Sequence, residues 1–212
     1  MRRCFNFKWA VVLVVPLALS LGGCAAEDEA AGRARTTGYR GVLADEQGPM
    51  PSFVLDNARG GRFDFEAETK GHAVLLFFGY THCPDICPVH MASLAEILGD
   101  FPWELRQRVK VVFVTVDPER DTPERIDEWL SNFDPSFIGL WGTKEETDRI
   151  QIDLGFPPSV PMPAPVDTVI AHASSVLGIA MDGTRLLYPF GTRQLDWRHD
   201  IPKLADWKPG ES

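Results

Sequence analysis

Cysteine is scarce in this 212-residue chain: there are four, and two of them, Cys4 and Cys24, lie close to the N-terminus. The remaining two, Cys83 and Cys87, are too few for a disulfide scaffold and point instead to chemistry. Positive charge is also short. The formal net charge is −9, and removal of residues 1–23 takes away Arg2, Arg3 and Lys8 but no acid, which moves it to −12. An acidic surface argues against nucleic acid as a partner. The apolar run from Trp9 to Leu19 is too short for a comfortable membrane span. No arginine lies between Lys70 and Arg106, so a peroxide-reducing cysteine near position 83 lacks a local activating cation. No internal repeat is present, which excludes a solenoid.

The first residues read as an address. Arg2, Arg3 and Lys8 form a basic start, the apolar run follows, and Leu21-Gly22-Gly23-Cys24 places small residues before a cysteine. That is the pattern of a bacterial lipobox, set against an ordinary cleaved signal or an uncleaved anchor. In this reading residues 1–23 are a lipoprotein signal peptide, Cys4 is discarded, and Cys24 becomes the lipidated N-terminus. The protein is then held by lipid in the bacterial cell envelope, facing the periplasm or the exterior. Residues 24–48 are small, polar and charged, and are expected to form a flexible tether. The folded domain is expected over 49–207, with 208–212 a disordered tail.

A hydrophobic content of 44% supports a proper core. Phe53 to Asp56 and Arg62 to Phe65 flank turn residues and predict an N-terminal hairpin. Ala73 to Phe78 is six apolar residues in a row, the pattern of a strand buried on both faces. Val109 to Asp117 is a second, valine-rich strand, and Phe137 to Trp141 a third. Thr122-Pro123 opens a helix whose apolar stripe is Ile126, Trp129, Leu130 and Phe133. Thr143 and Glu146 form a capping box for the next helix. Phe156 to Pro165 carries five prolines and predicts an extended loop. Ser174 to Ala180 and Arg185 to Tyr188 predict a hairpin about Asp182-Gly183. Gln194 to Leu204 has helical character, weakened by Pro202. This order predicts an α/β fold: a mixed central sheet with helices on both faces.

Phe78-Gly79-Tyr80-Thr81-His82-Cys83-Pro84-Asp85-Ile86-Cys87-Pro88 joins the buried strand to a helix, since Met91, Leu94, Ala95 and Leu98 recur at helical spacing. Ligands bind at that end of strands in open α/β sheets, and a cysteine pair there makes the fold thioredoxin-like. Each cysteine precedes a proline, which predicts a loop with Cys87 near the helix cap and Pro88 at the first helical position. The helix dipole then favours thiolates. A structural disulfide or two buried thiols is the plainer alternative.

Five histidines could complete a site. His72 lies at the far end of the strand, His82 is placed to tune the loop, His90 falls within the helix and is expected half-exposed, and His199 reads as solvated. His172 follows the proline loop and could cross back beside the cysteines, although position alone leaves it between a ligand and a structural histidine. Two thiolates and an imidazole form a soft set that favours Cu(I) and tolerates Cu(II) or Zn(II). Calcium and magnesium want oxygen.

Gly79 to Pro88 resembles the signature of the Sco/SenC family, and Val116-Asp117-Pro118-Glu119-Arg120-Asp121-Thr122-Pro123-Glu124 is similar to that family's second motif. The resemblance spans about Pro51 to Leu204. It implies a thioredoxin-like, membrane-tethered domain in which Cys83, Cys87 and His172 bind one copper ion. It also implies delivery of copper to the binuclear site of cytochrome c oxidase subunit II, or a similar copper acceptor. Its alternative is a thiol-disulfide reductase, with Cys83 and Cys87 as the redox pair that keeps the subunit's cysteines reduced. Ala171 stands where an acid commonly precedes the family's histidine, and Asp85 is the candidate to substitute for it. Asp117 and Asp121 are expected to organise their loop rather than touch metal.

Overall fold

The elements, in a computed structural model that describes residues 38–163 and 168–208, are β1 (Val42–Leu43), β2 (Val54–Asn57), β3 (Arg62–Asp64), α1 (Phe65–Thr69), β4 (Ala73–Gly79), α2 (Ile86–Gly99), α3 (Trp103–Arg106), β5 (Val109–Thr115), α4 (Pro123–Ser131), β6 (Ile138–Trp141), α5 (Lys144–Asp153), β7 (Val160–Met162), β8 (Val169–Ala171), β9 (Val176–Ile179), β10 (Arg185–Tyr188) and α6 (Gln194–Leu204). The expected signal peptide, the expected lipobox with Cys24 and the first part of the expected tether lie outside the described residues, as do residues 209–212 of the expected tail.

Every residue of β4 is buried. Side chains alternate along a strand, so this requires cover on both sheet faces. β4, β5 and β6 run parallel, with Phe77 beside Phe113 and Phe113 beside Gly139. Parallel neighbours need crossovers, which the helical segments between them supply. The full order is β1-β10-β9-β4-β5-β6-β2-β3, and β7 pairs with β8 in a separate ribbon. Thr122 and Thr143 cap their helices through the amides of Arg125 and Glu146, and Glu146 closes the capping box. Gly183, at φ +90°, makes the β9–β10 turn. Gly79 ends β4 against the aromatic layer: a Cβ there would lie 2.7 Å from the Phe77 ring and 2.9 Å from that of Phe113.

Several expectations need correction. α2 begins at Ile86, so Cys87 is its second residue and Pro88 its third, not cap and first. The first four amides of a helix have no internal partner, so proline costs nothing there. Asp85 occupies the cap position but its side chain makes no capping bond. The hairpin return stops at Asp64, whose carboxylate caps α1 through the amide of Ala67. The proline segment is not all loop, because Val160 to Met162 pairs with β8 and Pro161 stands opposite Ile170. An edge position tolerates proline, since no neighbour asks for its missing amide.

The folded unit also starts before residue 49. Val42 and Leu43 pair with Leu187 and Leu186. Asp200, wholly buried, accepts from the amides of Arg40 and Gly41 and from the Tyr188 hydroxyl. Burial, with Asp200 beside it, raises the Tyr188 pKa, so the phenol keeps its proton. Asp200→Ala leaves these donors without a partner inside the protein. It is expected to cost about 3 kcal/mol, lowering the melting temperature by roughly 6–12 °C, as scanning calorimetry would measure. Asp45→Ala, at an exposed position of the same segment, is the control and stays within about 0.5 kcal/mol.

Candidate metal centre

The loop between β4 and α2 is tied down before its cysteines are reached. Tyr80 is buried, and its hydroxyl accepts the amide of Ile170 in β8. Asp121 is wholly buried. It accepts from the Thr81 amide at 2.9 Å, the Thr81 hydroxyl at 2.6 Å and the Thr115 hydroxyl at 2.6 Å. His82 Nδ1 stands 3.2 Å from the same carboxylate. Asp117 pairs with Arg120, while burial raises its pKa. His82, Asp117 and Asp121 form a compact group, but their oxygens are taken by hydroxyls, an amide and a guanidinium, which makes the group a clamp.

Beyond the clamp, Cys83 Sγ, Cys87 Sγ and His172 Nε2 lie within 4.8 Å of one another. Cys87 comes from the first turn of α2, Cys83 from the loop, and His172 from the residue after β8. His172 Nδ1 is 2.8 Å from the Ala173 carbonyl. A carbonyl only accepts, so Nδ1 carries the proton and the Nε2 lone pair is left facing Cys87 Sγ, 3.6 Å away. The imidazole meets the rings of Phe77 and Tyr80 edge-on at 5.9 and 5.7 Å. Neither cysteine is in a disulfide.

The two sulfurs are not equivalent. Cys83 is half-buried, and a hydrogen bond from the Cys87 thiol holds its pKa down at about 3 against the opposing cost of burial. The amides of Asp85 and Cys87 add to the effect. Those amides open α2, so the helix N-terminus faces the thiolate. Cys87 is buried and shifts upward, first because it donates to Cys83 and then through desolvation. The pair therefore shares one proton, held by the inner sulfur.

Other candidates fall elsewhere. His72 is half-buried at the remote end of β4, with Nδ1 3.0 Å from the Lys70 carbonyl. His199 is not merely solvated, since it bonds Asp200 at 2.7 Å and approaches the Lys203 amine at 3.1 Å. Asp85 is exposed and stands outside the donor cluster. His90, expected half-exposed, is buried, with Nε2 2.9 Å from the Ser174 carbonyl. The helical phase carried that signal: Cys87, His90, Met91 and Leu94 share one face, and all are buried. Tyr80 was not singled out, and its place directly after the buried strand is the only cue. The lack of arginine near the cysteines is a property of the sequence alone. The fold brings Arg125 Nε within 3.3 Å of the Thr81 hydroxyl and Arg120 to 5.7 Å from the centre of the Tyr80 ring. The groups that lower the Cys83 pKa are nonetheless a thiol and amides.

This sequence matches the SCO1/SenC family over residues 43–193. A SCO2-like protein of Rickettsia felis is 38% identical over 108 residues, 47% of this chain and 50% of its own length. The chain spans about half the length of the curated relatives it matches. Among solved structures, ScoI of Bradyrhizobium japonicum with copper bound is 28% identical with a TM-score of 0.65, covering 74% of this chain and 99% of that one. Apo Sco1 of Thermus thermophilus is 29% identical with a TM-score of 0.67, covering 78% and 96%. The fold is the thioredoxin-like fold of these proteins. Since the match runs through the cysteine loop, the second motif and the strand that delivers His172, this chain belongs to the SCO1/SenC family.

Proposed function

We propose that this domain carries one copper ion on Cys83, Cys87 and His172 and passes it to a copper acceptor during assembly of cytochrome c oxidase, the acceptor being the binuclear site of subunit II. The observation that carries the reading is the convergence of three soft donors within 4.8 Å, with the histidine already in the tautomer that points Nε2 at sulfur. The copper-bound relative from Bradyrhizobium japonicum supports the metal. Sulfur and imidazole select Cu(I) over hard ions, and three donors leave a side open for ligand exchange with an incoming thiolate. Half-exposed Cys83 and His172 face that side, and buried Cys87 anchors the other. Loading displaces the proton of Cys87, so copper and proton compete for the same sulfur. Lipidation of Cys24 and a tether up to the folded unit hold the site at the outer face of the membrane in this proposal.

A second reading is favoured by the unequal sulfurs. The Cys83 thiolate attacks a partner disulfide to form a mixed disulfide. Cys87 then loses its proton and attacks Cys83, which closes the Cys83–Cys87 disulfide and leaves the partner with two reduced cysteines. The two readings share residues but not His172, which only the copper site requires.

Anaerobic Cu(I) titration of the reduced protein against a competing chelator is expected to show one ion bound. His172→Ala is expected to lower the affinity by at least about tenfold, and Cys83→Ser or Cys87→Ser by more. An unchanged affinity in His172→Ala removes the three-donor site. The Cys83 pKa lies below the working range, so the thiolate persists as pH falls. Iodoacetamide should therefore label Cys83 at a nearly constant rate between about pH 8 and pH 5 and leave Cys87 unlabelled, as peptide mass spectrometry would show. A rate that falls tenfold per pH unit over that interval contradicts the assignment.

A further inference from the structure

The helix that carries Cys87 and the loop that carries His172 meet at a hydrogen bond. His90 lies one turn after Cys87, on the same face of α2. Its Nε2 is 2.9 Å from the carbonyl oxygen of Ser174, two residues after His172. The carbonyl only accepts, so His90 must carry its proton on Nε2. Its ring is fixed by packing: 6% of the residue is exposed, Phe77 lies 4.9 Å away and Phe190 5.5 Å. Phe77 also meets the His172 ring. The segment from His172 to Ser175 lies between β8 and β9 and belongs to neither. A backbone with no ladder partners takes its position from side chains that reach it.

We propose that His90 is a positioning residue for the copper site: its Nε2–H, through the Ser174 carbonyl, sets where His172 stands over Cys87. The bond joins the carrier of one sulfur to the carrier of the nitrogen. Without it, the β8–β9 loop keeps the Tyr80 bond at Ile170 but loses its tie beyond His172. This deepens the copper reading and rests on it. Desolvation, the first cause of His90's lowered pKa, is consistent with a neutral donor at this place.

The test measures Cu(I) affinity for the wild type, His90→Phe, His90→Gln, His172→Ala and the His90→Phe/His172→Ala double variant, all reduced and anaerobic. Phenylalanine keeps the ring between Phe77 and Phe190 but removes the donor. Glutamine offers an amide N–H at nearly the reach of Nε2. Expected is a loss of about tenfold in His90→Phe, recovery to within about threefold in His90→Gln, and no further loss when His90→Phe is added to His172→Ala. That last result separates positioning from general stability. Nitrogen NMR of the wild type, which needs no variant to fold, should show His90 as the Nε2–H tautomer. The proposal is overturned if His90→Phe binds as the wild type does while His172→Ala loses affinity, if its effect persists undiminished without His172, or if His90 carries its proton on Nδ1. If the wild type binds no Cu(I), it is the copper reading that fails, and the positioning role goes with it.

Discussion

The buried carboxylate of Asp121 accepts twice from Thr81 and once from Thr115, and so ties the loop after β4 to the end of β5. A carboxylate without exposure is tolerable only with its oxygens occupied, and here the donors that occupy them belong to the segment that must be held still. The cysteine loop therefore starts from a fixed point. Gly79 lets the strand end close against the Phe77 and Phe113 rings, Asp121 holds Thr81 and His82, and Cys83 and Cys87 follow on a short path into α2. The same tie places Tyr80, whose hydroxyl takes the Ile170 amide and so brings in the strand that delivers His172. One buried charge thus underlies the position of all three donors.

Placement of the sulfurs at a helix N-terminus then divides their labour. The outer sulfur receives the hydrogen bonds of amides and of its partner thiol, and it is ionised. The inner sulfur, wholly buried, keeps the shared proton. Such a pair suits either a soft cation that displaces one proton or a disulfide exchange that releases it. The physics of the two roles is the same up to the arrival of the third donor. His172 is what distinguishes them: an imidazole with Nδ1 committed to a carbonyl and Nε2 aimed at sulfur adds little to thiol exchange and much to a three-coordinate ion.

Local rules and long-range packing contributed differently. The central strands, the α4 and α5 caps and the Asp-Gly turn were legible because each rests on neighbours a few residues away. Short α1 and α3 were missed, since four or five residues carry too little periodicity to register. β1 was hidden in polar sequence because its two residues depend on β10 and on the buried Asp200 for their place. β7 was hidden by prolines, which an edge strand tolerates and a propensity reading does not expect.

The sequence by itself determined the soft character of the site, its seat at the end of a buried strand, and the pair of thiols four positions apart. Those follow from side-chain chemistry and from spacings of four residues. Only the tertiary structure decided that His172 joins them and that His90 is buried. It also decided that arginines absent from the local sequence still border the loop, and that the two sulfurs ionise unequally. Each of these depends on groups brought together from distant parts of the chain, and on which polar atoms the packed interior leaves without water.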